Sequence, residues 1–386
     1  MATAQSITQR PGSPEQAAEL LRGLGDEGRT VRPRGGATKL TWGGAGEPVA
    51  VELETGAMNR ILEHNEGDLT AVLQAGVPLA EAQAAFAEKG QMLALDPPLG
   101  SNEAATVGGL VATADSGPLR HRYGGVRDLV VGISVALSDG TVAKAGGKVI
   151  KNVAGYDLAK LYTGSYGTLG LIVSVNLRLH PAPAANATAV GSTDDPERLA
   201  AAAAVLSRLP LEADALDVAW RDGAGRALVR FGGAAAEHQA QATAGHLREA
   251  GLADVEAVGD DEDLWAGQRA GQRSRAGAVL KVSGRAGDLA PAIRATRDAG
   301  GALVGRAAHG LYWIALEGEG LADRVGIVRD ALAPRASVLL DGPEALREAV
   351  EPWGPVEPGG LTVMRRVKER FDPARIFRPG AFVGGI

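Results

Sequence analysis

The stretch Val31 to Leu40 reads VRPRGGATKL. Consecutive glycines let backbone N–H groups converge on one point with no Cβ in the way. A concave nest of that kind binds an anion, typically a phosphate. Thr38 adds a hydroxyl donor, and Arg34 and Lys39 add positive charge. The spacing is neither the G-x-G-x-x-G of a Rossmann turn nor a G-K-[ST] phosphate loop. A plain Gly-rich turn between two strands explains the same residues.

A second stretch, Asp96 to Gly117, reads DPPLGSNEAATVGGLVATADSG. Thr106-Val107-Gly108-Gly109 opens a short helix of small residues, and unpaired N–H groups at a helix start attract anions. Gly108 and Gly109 would let a flat ligand lie against the backbone; tight packing of helix on sheet accounts for them equally well. Arg122-Tyr123-Gly124 follows closely. A third stretch, Lys151 to Val173, places glycine turns at Gly155 and Gly164 to Gly170 around a short helix.

The elements that position these loops read as an α/β alternation. Ser13 caps a helix to Leu24 with Pro14 in its first turn. Short strands follow at Thr30–Pro33, Val49–Leu53 and Leu69–Gln74, then a helix from Pro78 to Lys89. Leu129–Leu137 is a strand turning at Ser138-Asp139-Gly140 into Thr141–Lys144. In Leu171–Leu179, Val173, Val175, Leu177 and Leu179 share one face, as in a strand with one buried side. The Pro/Ala-rich His180–Ala189 marks a domain boundary. Beyond it, helices at Asp195–Leu209, Ala235–Ala250, Asp261–Gln272, Asp288–Ala299 and Gly320–Leu332 alternate with five strands. These lie at Ala215–Trp220, Ala227–Phe231, Ala278–Ser283, Ala302–Arg306 and Tyr312–Leu316, with a sixth at Ser337–Leu340. The pattern predicts an antiparallel sheet with helices on one face. A basic helix, Thr362–Phe371, and FDPARIFRPGAF close the chain.

The 386 residues suit two domains, and 45% hydrophobic content is enough for a sizeable core. A net charge of -6 and the lack of basic runs argue against nucleic acid. No cysteine is present, which excludes disulfides, iron–sulfur ligation and a thiol nucleophile in this chain. The polar start and the lack of a long apolar run predict a cytoplasmic chain, or one peripheral at the inner face of the cell membrane through partners.

Taken together, the three stretches and the tail resemble the FAD-binding domain of the vanillyl-alcohol oxidase / p-cresol methylhydroxylase family. The resemblance covers about residues 13 to 180 and the tail. It implies an α+β fold: a two-subdomain FAD-binding domain over 1–185, an inserted α+β cap over 186–342, and a segment, 343–386, that returns to the first domain. It implies FAD contacts from Pro33, Arg34, Gly35, Gly36, Ala37, Thr38 and Lys39. The second stretch would contribute Pro98, Gly100, Thr106, Gly108, Gly109, Ser116, Gly117, Arg122, Tyr123 and Gly124, and the rest would come from Gly155, Gly170, Ile172 and Arg378. Arg378 stands where the family's closing segment usually has Asn. Ala37 stands where covalent members often carry His, so FAD is expected to be non-covalent. Within the family the second and third stretches are most similar to the smaller FAD-binding subunits of bacterial glycolate oxidase. That likeness implies an FAD-binding subunit of a complex that oxidises glycolate, a small 2-hydroxy acid, to glyoxylate, with a larger catalytic flavin subunit and an iron–sulfur subunit as partners; the alternatives are an FAD-holding relay or structural subunit with no active site of its own, or a stand-alone flavin sugar or alditol oxidase. The metal-binding motifs of related hydroxyacid dehydrogenases reduce here to the lone His309, so no metal is expected.

Oxidation of a hydroxy acid needs a base for the hydroxyl proton and a cation for the carboxylate. His121, His309, Tyr123 and Tyr156 are the candidate bases. Arg120, Arg122 and Arg378 are the candidate clamps. No single one is singled out as catalytic. His64, His180, His238 and His246 read as solvated histidines, and Trp265, Trp313 and Trp353 as packing residues.

Overall fold

A computed structural model describes residues 6–148 and 156–386. Ser13 accepts a hydrogen bond from the Gln16 N–H at 3.2 Å and starts the first helix, Pro14–Asp26. That helix packs Ala17, Leu21 and Leu24 on a three-stranded parallel sheet, in which Val51–Glu54 lies between Ile7–Gln9 and Val31–Arg34. A five-stranded antiparallel sheet stands beside it, ordered Ile61–Asn65, Thr70–Gln74, Leu171–Arg178, Val130–Ala136 and Val142–Gly146. The central strand is the alternating one: Val173, Val175 and Leu177 are completely buried, while Arg178 is exposed.

The Pro/Ala-rich boundary is shorter than its composition suggests. His180-Pro181 pairs with Gln91-Met92, and by Asn186 the chain is already in a strand running to Thr193. This strand and Ala253–Val258 escape sequence reading because their small and polar residues lack a strong apolar alternation. They belong to an eight-stranded, wholly antiparallel sheet. Its order is Ala253–Val258, Asn186–Thr193, Ala224–Gly232, Ala215–Arg221, Ala302–Arg306, Leu311–Leu316, Ala278–Ser283 and Ala336–Asp341.

Helices Pro196–Leu206, Ala236–Glu249, Leu289–Asp298 and Leu321–Leu332 cover one face of this sheet. Leu199, Leu247, Ile293 and Val328 meet Leu216, Val218, Phe231, Leu280 and Ile314 there. The alternation of strands turns the intervening residues to the opposite face. Val279, Val304, Trp313 and Leu340 pack there against Trp42 of the first domain. Trp42 Nε1 donates to Asp341 Oδ1 at 3.1 Å, so the two domains share a bonded seam.

The C-terminal helix, Pro358–Phe371, begins earlier than its basic stretch suggests, and the chain after it returns to the first domain. The Val31 N–H donates to the Ile376 carbonyl at 2.7 Å, and the Arg378 N–H to the Val31 carbonyl at 2.9 Å. Lys368 Nζ donates at 2.7 Å to each of Asp372 Oδ2, the Thr168 carbonyl and the Phe377 carbonyl. The Asp372 carboxylate accepts the N–H groups of Ile376 and Phe377 in turn. A buried ion pair with all its hydrogen bonds made holds the tail in one register.

Candidate functional site

A cleft of about 710 Å³, counting space open to solvent, lies between the parallel sheet, the segment Ala105–Thr113, the turn at Tyr166–Ile172 and Arg378 of the tail. Its floor is the loop after strand Val31–Arg34. No backbone carbonyl of the described residues accepts from the N–H groups of Gly35, Gly36, Ala37 or Thr38. Ala37 has a φ of 59°, the left-handed turn that curls these donors into a nest. Arg273 Nη2 donates to the Thr38 carbonyl at 3.0 Å and fixes the loop from the other side.

The loop glycines have a second role that the sequence does not reveal. A Cβ at Gly35 would lie 2.2 Å from Thr106 Oγ1, and one at Gly36 would lie 1.5 Å from the Ala104 carbonyl oxygen. The first and second stretches thus press directly on each other. Close packing also explains Gly108, whose Cβ would lie 2.6 Å from that of Ala75. The N–H groups that open helix Val107–Thr113 already have acceptors: Val77 O for Val107, Ala75 O for Gly108 and Thr106 Oγ1 for Gly109. The expectation that this helix start offers free donors is therefore corrected.

The charge of the cleft is positive. Arg34, Lys39 and Arg378 line it, and among the described residues no carboxylate or imidazole does. Arg34 Nε is buried without a hydrogen-bond partner among the described residues. Lys39 is buried; burial lowers its pKa, while Asp115, 3.3 Å away, favours the charged form. Burial, aided by Arg32, pushes the Arg378 guanidinium down to about 10, which leaves it charged at neutral pH. Its Nη1 donates to the Tyr166 carbonyl at 2.9 Å. An unpartnered donor nest with flanking cations suits a diphosphate, and the Leu110, Ala112 and Ile172 wall suits a flat apolar ring.

Of the residues singled out in the sequence, the cleft gathers Pro33, Arg34, Gly35, Gly36, Ala37, Thr38, Lys39, Thr106, Gly108, Gly109, Gly170, Ile172 and Arg378. Pro98 and Gly100 stand behind it. The Pro98 carbonyl accepts from Lys39 Nζ at 3.3 Å, and Gly100 packs on Thr38. Gly155 lies outside the described residues. Ser116 and Gly117 sit at the domain seam, where the Ser116 carbonyl accepts from Gln272 Nε2 at 2.9 Å. Gly117 abuts the Asp96 carbonyl.

Arg122, Tyr123 and Gly124 do not reach the cleft. Arg122 donates to the Glu212 carbonyl and lies 3.4 Å from Asp214, and Tyr123 Oη donates to Asp214 Oδ1 at 3.3 Å. Their short helix, Arg120–Tyr123, ties the two domains together, so Arg122 does not act as a free clamp. Burial pushes Tyr123 up to about 12, which makes it a poor base at neutral pH. Tyr156 is 91% exposed and is not among the described residues that line the cleft. His64 and His180 are half-buried rather than solvated: His64 Nε2 bonds Gln91 Oε1 at 2.9 Å, and His180 stacks edge-on against Tyr123.

Sequence reading missed Tyr166, which lines the cleft from a left-handed turn at φ 56°. It also missed the charged residues on the inward sheet face. Asp217 and Arg306 are completely buried there, and Lys281 lies over the Trp313 ring. The available signal was a charge within an apolar strand, as in ALDVAW and ALVGR. His121 and His309 meet edge-on near this face, with ring centroids 5.6 Å apart. Burial lowers both pKa values, that of His121 to about 4, so both are neutral imidazoles at neutral pH.

A donor nest, an apolar slot and a tail that closes over both define a protein that holds an extended diphosphate cofactor. Comparison with known proteins makes this specific. A family described as FAD binding domain matches residues 6–146. An uncharacterized FAD-linked oxidoreductase of Mycobacterium tuberculosis is 27% identical, over 97% of this chain and 90% of its own length. Glycolate oxidase subunit GlcE of Escherichia coli is 39% identical over 36% of this chain and 40% of its own. Subunit GlcD of Bacillus subtilis is 36% identical over 45% and 36%. The chain thus spans well under half the length of either glycolate oxidase relative. A solved structure of alkyldihydroxyacetonephosphate synthase superposes with a TM-score of 0.70 at 18% identity, over 98% of this chain and 78% of that one, and shares the fold.

The chain carries an FAD-binding domain of the vanillyl-alcohol oxidase / p-cresol methylhydroxylase type. It is an FAD-dependent oxidoreductase.

Proposed function

We propose that this chain is the FAD-binding subunit of a 2-hydroxy acid oxidase of the glycolate oxidase kind. It oxidises glycolate to glyoxylate together with a larger flavin subunit and an iron–sulfur subunit. The observation that carries this reading is the pairing of an FAD cleft with a buried cluster of charged side chains, Asp217, Arg306 and Lys281, on the sheet face at the domain seam. FAD, when bound, supplies two-electron oxidation of a CH–OH group. The chain's own residues bind and orient. Gly35 to Thr38 hold the diphosphate, and Arg34 and Arg378 balance its charge. Trp42 and Trp313 pack in one apolar cluster that keeps water out of the domain seam. Burial lowers the pKa of His121 and of His309, that of His121 to about 4, so both are neutral but weak bases, and no residue of this chain is assigned the hydroxyl proton. With no cysteine in the chain, electrons leave to an acceptor outside it, which supports a partner. We place the assembly in the cytoplasm, reaching the inner face of the membrane through its partners.

A second reading is an FAD-holding relay or structural subunit. It is favoured by the absence of any carboxylate or imidazole from the cleft lining among the described residues. Anaerobic addition of glycolate to the purified FAD-loaded chain separates the two. Bleaching of the visible flavin bands supports the catalytic reading. Bands that dithionite bleaches and glycolate leaves unchanged overturn it in favour of the relay.

A further inference from the structure

The sheet face turned toward the FAD domain carries an ion pair that the FAD cleft does not include. Asp217 and Arg306 are direct cross-strand partners on neighbouring antiparallel strands, and both side chains are completely buried. Their nearest approach, Arg306 Nη1 to Asp217 Oδ2, is 3.5 Å, too long for a well-formed charged hydrogen bond. Among the described residues, neither Asp217 oxygen has a hydrogen-bond partner, and neither do Nε and Nη1 of Arg306. The third guanidinium nitrogen is used: Nη2 donates to Gln272 Oε1 at 2.8 Å. Gln272 in turn donates to the Ser116 carbonyl at 2.9 Å, which links Arg306 to the end of the second glycine stretch. The guanidinium also lies over the Trp313 ring at 4.5 Å, which holds its plane in place.

Buried polar atoms are almost always paired, and a buried ion left without hydrogen bonds is costly. A guanidinium fixed on one side, with two nitrogens unused and only a loose counter-ion, is an anion receptor in waiting. We propose that Arg306 receives the carboxylate of the substrate, and that Asp217 is the internal counter-ion this carboxylate displaces. The carboxylate class rests on the 2-hydroxy acid reading above; the receptor itself rests on the geometry.

The pair also sets a pH dependence. Burial pushes Asp217 up to about 7, against the pull of Arg306 and with the help of Asp96. Arg306 reaches it from the neighbouring strand, and Asp96 from the FAD domain. Arg230 and Arg269 act on Asp96, while Lys281 and His309 share the field of Arg306 and Arg120. Below about pH 7 Asp217 holds a proton and leaves Arg306 to the incoming anion. Above it two anions compete for one guanidinium. Carboxylate binding therefore takes up close to one proton, and affinity falls by about tenfold per pH unit above neutrality.

The test is calorimetric titration of oxalate into the FAD-loaded full chain, where the cofactor already fills the nest. The wild type is expected to bind oxalate more tightly at about pH 6 than at about pH 8, by about tenfold. Asp217→Asn is expected to bind it with no such dependence, and Arg306→Met to lose about 100-fold in affinity. If Arg306→Met does not fold, Asp217→Asn and Arg306→Lys still decide, the latter binding more weakly than the wild type. Oxalate affinity unchanged in the Arg306 variants overturns the proposal. So does a pH slope retained in Asp217→Asn, or no binding at any pH. Arg306-dependent oxalate binding in a protein whose spectrum no 2-hydroxy acid alters would overturn the reaction and leave the receptor standing. Glycolate bleaching with oxalate affinity untouched in Arg306→Met would do the reverse.

Discussion

Gly36 and Ala104 lie so close that a Cβ on residue 36 would sit 1.5 Å from the Ala104 carbonyl oxygen. Two stretches far apart in sequence thus meet backbone to backbone, and the anion nest exists only because they do. Gly36→Val is expected to purify without flavin colour, while circular dichroism keeps the signal of the separately cored eight-stranded domain. A yellow Gly36→Val protein would refute the placement of the cofactor.

Arg273 holds the nest from behind, through the Thr38 carbonyl and a two-point pair with Asp341. Loss of a hydrogen bond from a charged donor costs about 1.5–3 kcal/mol. Arg273→Met should therefore weaken FAD binding by about 10- to 100-fold with the fold kept. Flavin fluorescence titration of the apoprotein measures this directly, and an affinity equal to wild type would remove Arg273 from the account.

Lys368→Met leaves Asp372 buried without its cation, although the two N–H donors from Ile376 and Phe377 remain. Breaking a buried pair on one side costs about 3–5 kcal/mol. Thermal unfolding should show a clear drop in Tm, and limited proteolysis should release the tail first. A Tm unchanged from wild type would mean the tail is held by Ile376 and Phe377 packing alone.

His121 is pushed from the usual histidine value to about 4, first by burial and then by His309 and Arg122. The folded pKa lies below the unfolded one, so the unfolded chain takes up the proton first as pH falls. The stability tied to neutral His121 is present above about pH 6.5 and is lost between there and about pH 4. His121→Gln should flatten urea-unfolding stability across that window. An identical acid limb in the variant would assign the loss to other groups.

The legible parts of this protein depend on neighbours in the chain. The nest was one of two readings of Arg34 to Lys39, whose glycines, hydroxyl and charge stand in one run and fit a plain turn as well. The strand from Leu171 was readable because Val173, Val175 and Leu177 alternate, and the first helix because Ser13 and Pro14 mark its start. Strands Asn186–Thr193 and Ala253–Val258 were not, because small and polar residues there take their conformation from the sheet around them. The role of Gly108 was read as ligand approach or close packing with equal weight, and only contact with Ala75 decided for packing. Arg122 and Tyr123, attractive beside the glycines in sequence, turn outward to Asp214 because their short helix lies at the domain seam.

By itself the sequence determined a second α+β domain from local pattern, while its resemblance to a known family implied the FAD domain and the returning tail. The tertiary structure alone decided that Asp217 and Arg306, on strands from distant parts of the chain, face each other on the inward side of one sheet. Strand register sets that meeting, and register is a property of the assembled sheet.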